Sequence, residues 1–171
     1  MTAIHYEATY PADVERVIGV LTDEAFLSAY AQEVGALAHT VDIGSAGPDY
    51  AVRTRVTMTV PTAGVPAALK RLVTPTVDIT EVRMWTEGEG RWGGKLAVDA
   101  SARGRHARVR GNLVLEPGAN GSSAASRFGV DGTVSVGVPL VGDLAAGLVK
   151  DLVGSVIKRQ SAVMDRWLRE G

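Results

Sequence analysis

One long amphipathic helix at the end of a strand-rich chain most constrains what this sequence can fold into. Over Asp143 to Arg169, Leu144, Leu148, Leu152, Val156, Val163 and Trp167 keep to one helical stripe. Val149, Val153, Ile157, Met164 and Leu168 widen it. That run is 27 residues, or about 40 Å at 1.5 Å per residue. Ahead of it, six successive segments alternate with period two and are joined by short turns, which implies one antiparallel sheet. Such a sheet has an apolar face to cover. The last helix is long enough to cover it, so the pattern predicts a curved sheet gripping one helix.

The phase of each strand follows from its neighbours. Ile4, Tyr6, Ala8 and Tyr10 share one face of the first strand. Asp13 can cap a helix carrying Val14, Val17, Ile18 and Leu21. A second helix starts at Thr22 or Asp23, carries Phe26, Leu27, Tyr30 and Val34, and stops at Gly35. A short strand spans Leu37 to Ile43. The next puts Tyr50, Val52, Thr54, Val56, Met58 and Val60 inward, because Arg53 and Arg55 belong in water. Val65 to Val73 is a short amphipathic piece flanked by Pro61, Gly64 and Pro75, which we read as a lid. Trp92, Leu96 and Val98, then Val109, Leu113 and Leu115, then Phe128, Val130, Val134, Val136 and Val138 form the inner faces of the last three strands. The order β-α-α-β6-α predicts a single α+β domain over residues 1–171, with seven strands around the C-terminal helix.

Thr76 to Glu87 has two phases open to it. Val77, Ile79 and Trp85 share a face with Glu81 and Arg83, whereas Val82 and Met84 lie opposite. Either a bulge near Thr80 turns the two charges to water, or the strand carries them inward.

Several function classes are excluded. With no cysteine there is no disulfide scaffold, thiol nucleophile or thiolate metal site. A net charge of 18 − 19 = −1 argues against nucleic acid as a partner. Arg103, Arg105, Arg108 and Arg110 then read as a solvated outer face. The N-terminus lacks a secretory pattern, and Val134 to Ile157 is broken by Asp143, Lys150 and Asp151. We therefore expect a cytoplasmic protein without a stable membrane anchor. His5, His39 and His106 share no ligand spacing, so no metal is expected. Gly88-x-Gly90-x-x-Gly93 matches a dinucleotide fingerprint by letter. A strand follows it where a helix is needed, and Glu89 would repel phosphate, so a hairpin turn is expected and no cofactor.

The element order is the helix-grip arrangement, and the sequence resembles the SRPBCC superfamily, which includes START lipid-transfer domains and polyketide cyclases. Ala8, Tyr10, Val14 and Val17, Trp85, and Val138-Pro139-Leu140-Val141-Gly142 resemble a bacterial branch of it known as a domain of unknown function. The resemblance implies a deep apolar cavity between sheet and helix, and no particular reaction.

Composition points the same way. The chain is 46% hydrophobic yet only 5% aromatic, so Val, Ala, Leu and Gly build both walls and leave space between them. The expected ligand-binding residues are Val52, Thr54, Val56, Met58, Glu81, Arg83, Trp85, Leu96, Val98, Val109, Leu113, Phe128, Val130, Leu144, Leu148 and Leu152. Gly147 and Gly154 fall near one helix face and serve either close packing or ligand space. The predicted function is binding of a small hydrophobic, lipid- or polyketide-like ligand without transforming it, and no catalytic residue is assigned. The alternatives are a cyclase or aromatase using Glu81 and Arg83, and a filled core that acts through a surface partner.

Overall fold

Two aspartates divide the first crossover into two helices. Asp13 accepts a hydrogen bond from the Arg16 amide at 2.8 Å, and Asp23 accepts one from the Phe26 amide at 3.0 Å. Each side chain satisfies a donor that the first helical turn leaves open. Gly35 ends the second helix with φ of 95°, a left-handed value.

The computed structural model describes residues 1–62, 67, 75–102, 104–137 and 142–170. In chain order these form β1 (Thr2–Tyr10), α1 (Val14–Leu21), α2 (Glu24–Val34), β2 (Ala38–Gly44), β3 (Val52–Pro61) and β4 (Thr76–Glu87). They continue with β5 (Trp92–Ala102), β6 (Arg105–Gly118), β7 (Ser122–Val136) and α3 (Gly142–Glu170). The sheet has seven antiparallel strands in the order β1-β7-β6-β5-β4-β3-β2. The protein is an α+β helix-grip fold, as its sequence pattern predicts. The expected lid, 65–73, lies outside the described residues apart from Ala67, and 138–141 lie outside them too. Among the described residues no helix is long and apolar enough to cross a membrane.

Element ends move by one or two residues: β2 begins at Ala38 rather than Leu37, and β3 at Val52 rather than Tyr50. The long helix gains a residue at each end and reaches 29 residues, about 43 Å. The fingerprint-like glycines sit at the β4–β5 hairpin, where the Gly88 amide donates to the Arg91 carbonyl at 2.8 Å.

Two paired glycines bring β6 and β7 close together on the concave face. Gly111 and Gly132 are paired across β6 and β7. A Cβ on Gly111 would lie 2.5 Å from the Asp131 carbonyl oxygen. One on Gly132 would strike the Arg110 carbonyl. Only glycine lets the bent strands approach this closely.

The outer face is polar and paired across strands. Arg110 donates two hydrogen bonds to Asp99, at 2.8 and 3.0 Å, and Arg108 lies 3.5 Å from the same carboxylate. Arg105, Arg108 and Arg110 are exposed, as expected of a solvated face, and Arg103 lies outside the described residues. His5 on β1 lies 2.5 Å from Asp131 on β7. That hydrogen bond and the charge behind it raise the His5 pKa. His39 stands on β2, at the opposite sheet edge from His5.

Candidate functional site

Between the sheet and α3 lies a cavity of about 260 Å³. Its walls are overwhelmingly apolar, with Tyr30, Thr62, Glu81 and Arg83 the polar residues among the lining. Strand register explains which side chains meet there. Val56 on β3 starts a row whose Glu81, Val98 and Val109 line the cavity, and Met58, Ile79, Ala100 and Ala107 form the next row. From above, α3 contributes Val149, Leu152, Val153, Val156 and Ile157.

Ten of the expected site residues line this cavity: Met58, Glu81, Arg83, Leu96, Val98, Val109, Leu113, Phe128, Val130 and Leu152. Four others point inward but do not line it. Val52, Thr54 and Val56 belong to β3, which α2 packs against and partly covers. Trp85 is fully buried, with its ring 6.5 Å from that of Phe128. The side chains of Leu144 and Leu148 lie outside the described residues. Leu152 is 37% exposed, so it lines the cavity and also meets solvent.

The two open phases of β4 resolve in favour of inward charges. The strand pairs with both neighbours in unbroken register through Thr80, whereas β6 and β7 shift register at Pro117/Gly118. Glu81 is 7% and Arg83 is 4% exposed. Each finds partners on other elements, which is what makes their burial tolerable. Tyr30 of α2 donates to Glu81 Oε2 at 2.9 Å. Arg83 Nε lies 3.0 Å from Glu81 Oε1, an ion-pair contact without hydrogen-bond alignment. Arg83 Nη2 donates to Gln160 Oε1 of α3 at 2.5 Å. Gln160 in turn donates to the Tyr10 hydroxyl at 3.5 Å. The Phe128 ring lies under the guanidinium, 5.9 Å from Cζ. Arg83 Nη1 is buried with no partner among the described residues.

Electrostatics sets the state of these groups. Burial, and then the Glu81 charge, push the Tyr30 hydroxyl well above the ordinary phenol range, so it stays a donor. Burial works against the Arg83 charge, but Glu81, Tyr30 and Tyr10 outweigh it and raise its pKa. The guanidinium is a fixed cation.

The helix glycines separate into two cases. A Cβ on Gly154 would sit 2.9 Å from the Tyr6 hydroxyl and 3.0 Å from its ring, so this glycine serves close packing. The same hydroxyl donates to the Lys150 carbonyl at 2.6 Å. At Gly147 a Cβ would meet nothing within 4 Å.

Sequence reasoning missed Tyr30 and Gln160 as partners of the charged pair. It also left out of the site Val149, Val153, Val156 and Ile157, although it had placed them on the apolar stripe of the helix, and Val77 and Ile79, whose strand had two phases open to it. Among the described residues no group of three His, Cys, Asp or Glu stands ready to hold a metal.

The family model described as protein of unknown function, DUF2505, matches residues 5–168. The chain belongs to this DUF2505 family. No curated relative matches it in sequence. Solved structures share the fold of this DUF2505 protein at low identity. A protein of Thermus thermophilus is similar with a TM-score of 0.62 at 19% identity, over 96% of this chain and 94% of its own. A conserved protein of Geobacillus kaustophilus gives 0.61 at 15%, over 98% and 95%. The Zhui aromatase/cyclase of Streptomyces sp. R1128 gives 0.59 at 15%, over 98% and 93%.

Proposed function

We propose that this DUF2505 protein binds and carries a small hydrophobic ligand, lipid- or polyketide-like, between its sheet and C-terminal helix. The cavity carries this reading: about 260 Å³ of space in an apolar wall, close to the lower end of ligand pockets at about 300–1,000 Å³. A core that needed only stability would close such a void, because unfilled space costs free energy. The resemblance to the SRPBCC superfamily supports the same use of the same space. In this reading the protein works in the cytoplasm, without a metal or cofactor.

Native mass spectrometry of protein purified from its own host tests the proposal. A bound apolar mass is expected, absent from a Val98→Trp variant whose indole fills the space. Repeated preparations carrying no such mass would count against it.

A second reading is an aromatase/cyclase-like enzyme, the activity carried by the name of one structural neighbour. The buried Tyr30–Glu81–Arg83 array favours it, because polar groups fixed in an apolar wall can steer a reacting chain. Recovery of a bound compound chemically unchanged after incubation supports carriage. A cyclised or dehydrated product supports the enzyme.

A further inference from the structure

The polar wall also says something about the chemistry of the ligand, an inference that rests on the ligand-binding reading above. A guanidinium has five N–H donors in a rigid plane. In Arg83, Nη2 is used by Gln160 and Nε faces Glu81. Nη1 has no partner among the described residues, although Arg83 is only 4% exposed and lines the cavity. Buried donors are ordinarily satisfied, so an orphan at a cavity wall marks the place where an acceptor is missing. The group cannot swing away to find one. Glu81, Gln160, the Tyr30 hydroxyl and the Phe128 ring surround it.

Charge restricts which acceptor fits. Glu81 and Arg83 already form a buried ion pair, and Tyr30 remains a neutral donor committed to Glu81. A carboxylate brought to Nη1 would leave a second anion near Glu81 inside an apolar wall. Its lost hydration would be poorly repaid there. A neutral oxygen gains a charge-assisted hydrogen bond without that cost.

We propose that the ligand carries a neutral carbonyl oxygen (ketone, ester or amide) on an apolar body, that Arg83 Nη1 donates to this oxygen, and that carboxylates are selected against. The anchor stands among Leu96, Leu113 and Phe128, and the apolar body extends along Val98, Ala100 and Ala107 beneath α3.

Three probes of one shape test this: 2-acetylnaphthalene, 2-ethylnaphthalene and 2-naphthoate, titrated calorimetrically into the wild-type protein. The ketone is expected to bind about tenfold more tightly than the ethyl compound, the worth of one hydrogen bond from a charged donor. It is also expected to bind more tightly than the carboxylate. In the double variant Glu81→Gln/Arg83→Met, which removes both charges together, ketone and ethyl affinities should agree within about twofold. The wild-type comparison decides the matter even if that variant fails to fold. Equal binding of ketone and ethyl compound overturns the anchor and leaves the ligand-binding reading standing. Tighter binding of naphthoate overturns the choice of a neutral acceptor. Binding of none of the three overturns both this inference and the reading beneath it.

Discussion

The two ends of the sheet's concave face are built from the same kinds of strand and filled very differently. At one end Trp85, Leu115, Tyr10, Val163 and Met164 are fully buried in one core cluster, and Leu113 and Phe128 stand at its border with the cavity. Here α1 packs on β6 and β7, and the Arg16 guanidinium donates to the Leu168 carbonyl at 2.7 Å, tying α1 to the C-terminus of α3. At the other end, Val77, Ile79, Val98, Ala100 and Ala107 face Val149, Val153 and Val156, and none of these is fully buried. The rings are gathered at the first end, and small aliphatic chains line the second. A chain with few aromatics can therefore have both a tightly packed core and a cavity. It concentrates its bulk where α1 and the C-terminal half of α3 close the sheet. Between the two ends stand Glu81 and Arg83.

Truncation should expose this asymmetry most strongly. Trp85→Ala at the packed end is expected to lose about 3–5 kcal/mol in urea denaturation. Val153→Ala at the cavity should lose about 1 kcal/mol or less, because its methyls already border open space. Equal losses at the two sites would erase the distinction.

The boundary between the ends is electrostatic. Arg83→Met alone strands Glu81 in an apolar wall and is expected to cost about 3–5 kcal/mol. Glu81→Gln/Arg83→Met should recover most of that loss on the same denaturation assay. A double variant as unstable as the single one would mean that the pair is not coupled.

Two glycines on one helix give a smaller contrast of opposite sign. Gly154→Ala drives a Cβ into Tyr6 and should destabilise by on the order of 1–3 kcal/mol despite the better helix former. Gly147→Ala meets nothing and should stabilise by about 1 kcal/mol. Thermal melts of the two variants, run side by side, read the difference.

The smallest effect lies on the outer face. His5 should titrate above its ordinary value of 6.5 in an NMR pH series, and Asp131→Asn should bring the midpoint back down. The raised value means that its contribution to stability is present below pH 6.5 and fades as pH rises through the shifted midpoint. An unshifted midpoint in the wild type would show that the hydrogen bond to Asp131 does not persist in solution.

Much of this fold was legible in the sequence, because period-two and helical patterns mark which face of each element is apolar. Inward faces such as Ile4–Tyr10 and Val109–Leu115 needed no tertiary information. The helix-grip order followed from hairpin turns and one long stripe. Alternation could not choose between a bulge and buried charges in β4, because either arrangement explains Glu81 and Arg83. Their partners decide it, and those lie far along the chain: Tyr30 is 51 residues before Glu81, and Gln160 is 77 after Arg83. Nor did inward facing separate packed positions from cavity walls. Val56 and Val98 share a row and a pattern, but Val56 is buried in the core and Val98 lines the void.

The central claim is that the loosely filled end is a ligand site and the packed end is not. Methyl NMR during titration with 2-acetylnaphthalene tests it most directly. The account predicts saturable shifts at Met58, Ile79, Leu96, Val98, Val109 and Val153, with Leu21, Leu115, Val163 and Leu168 still. Shifts confined to the second group or to the outer face, or none at saturating probe, would contradict it.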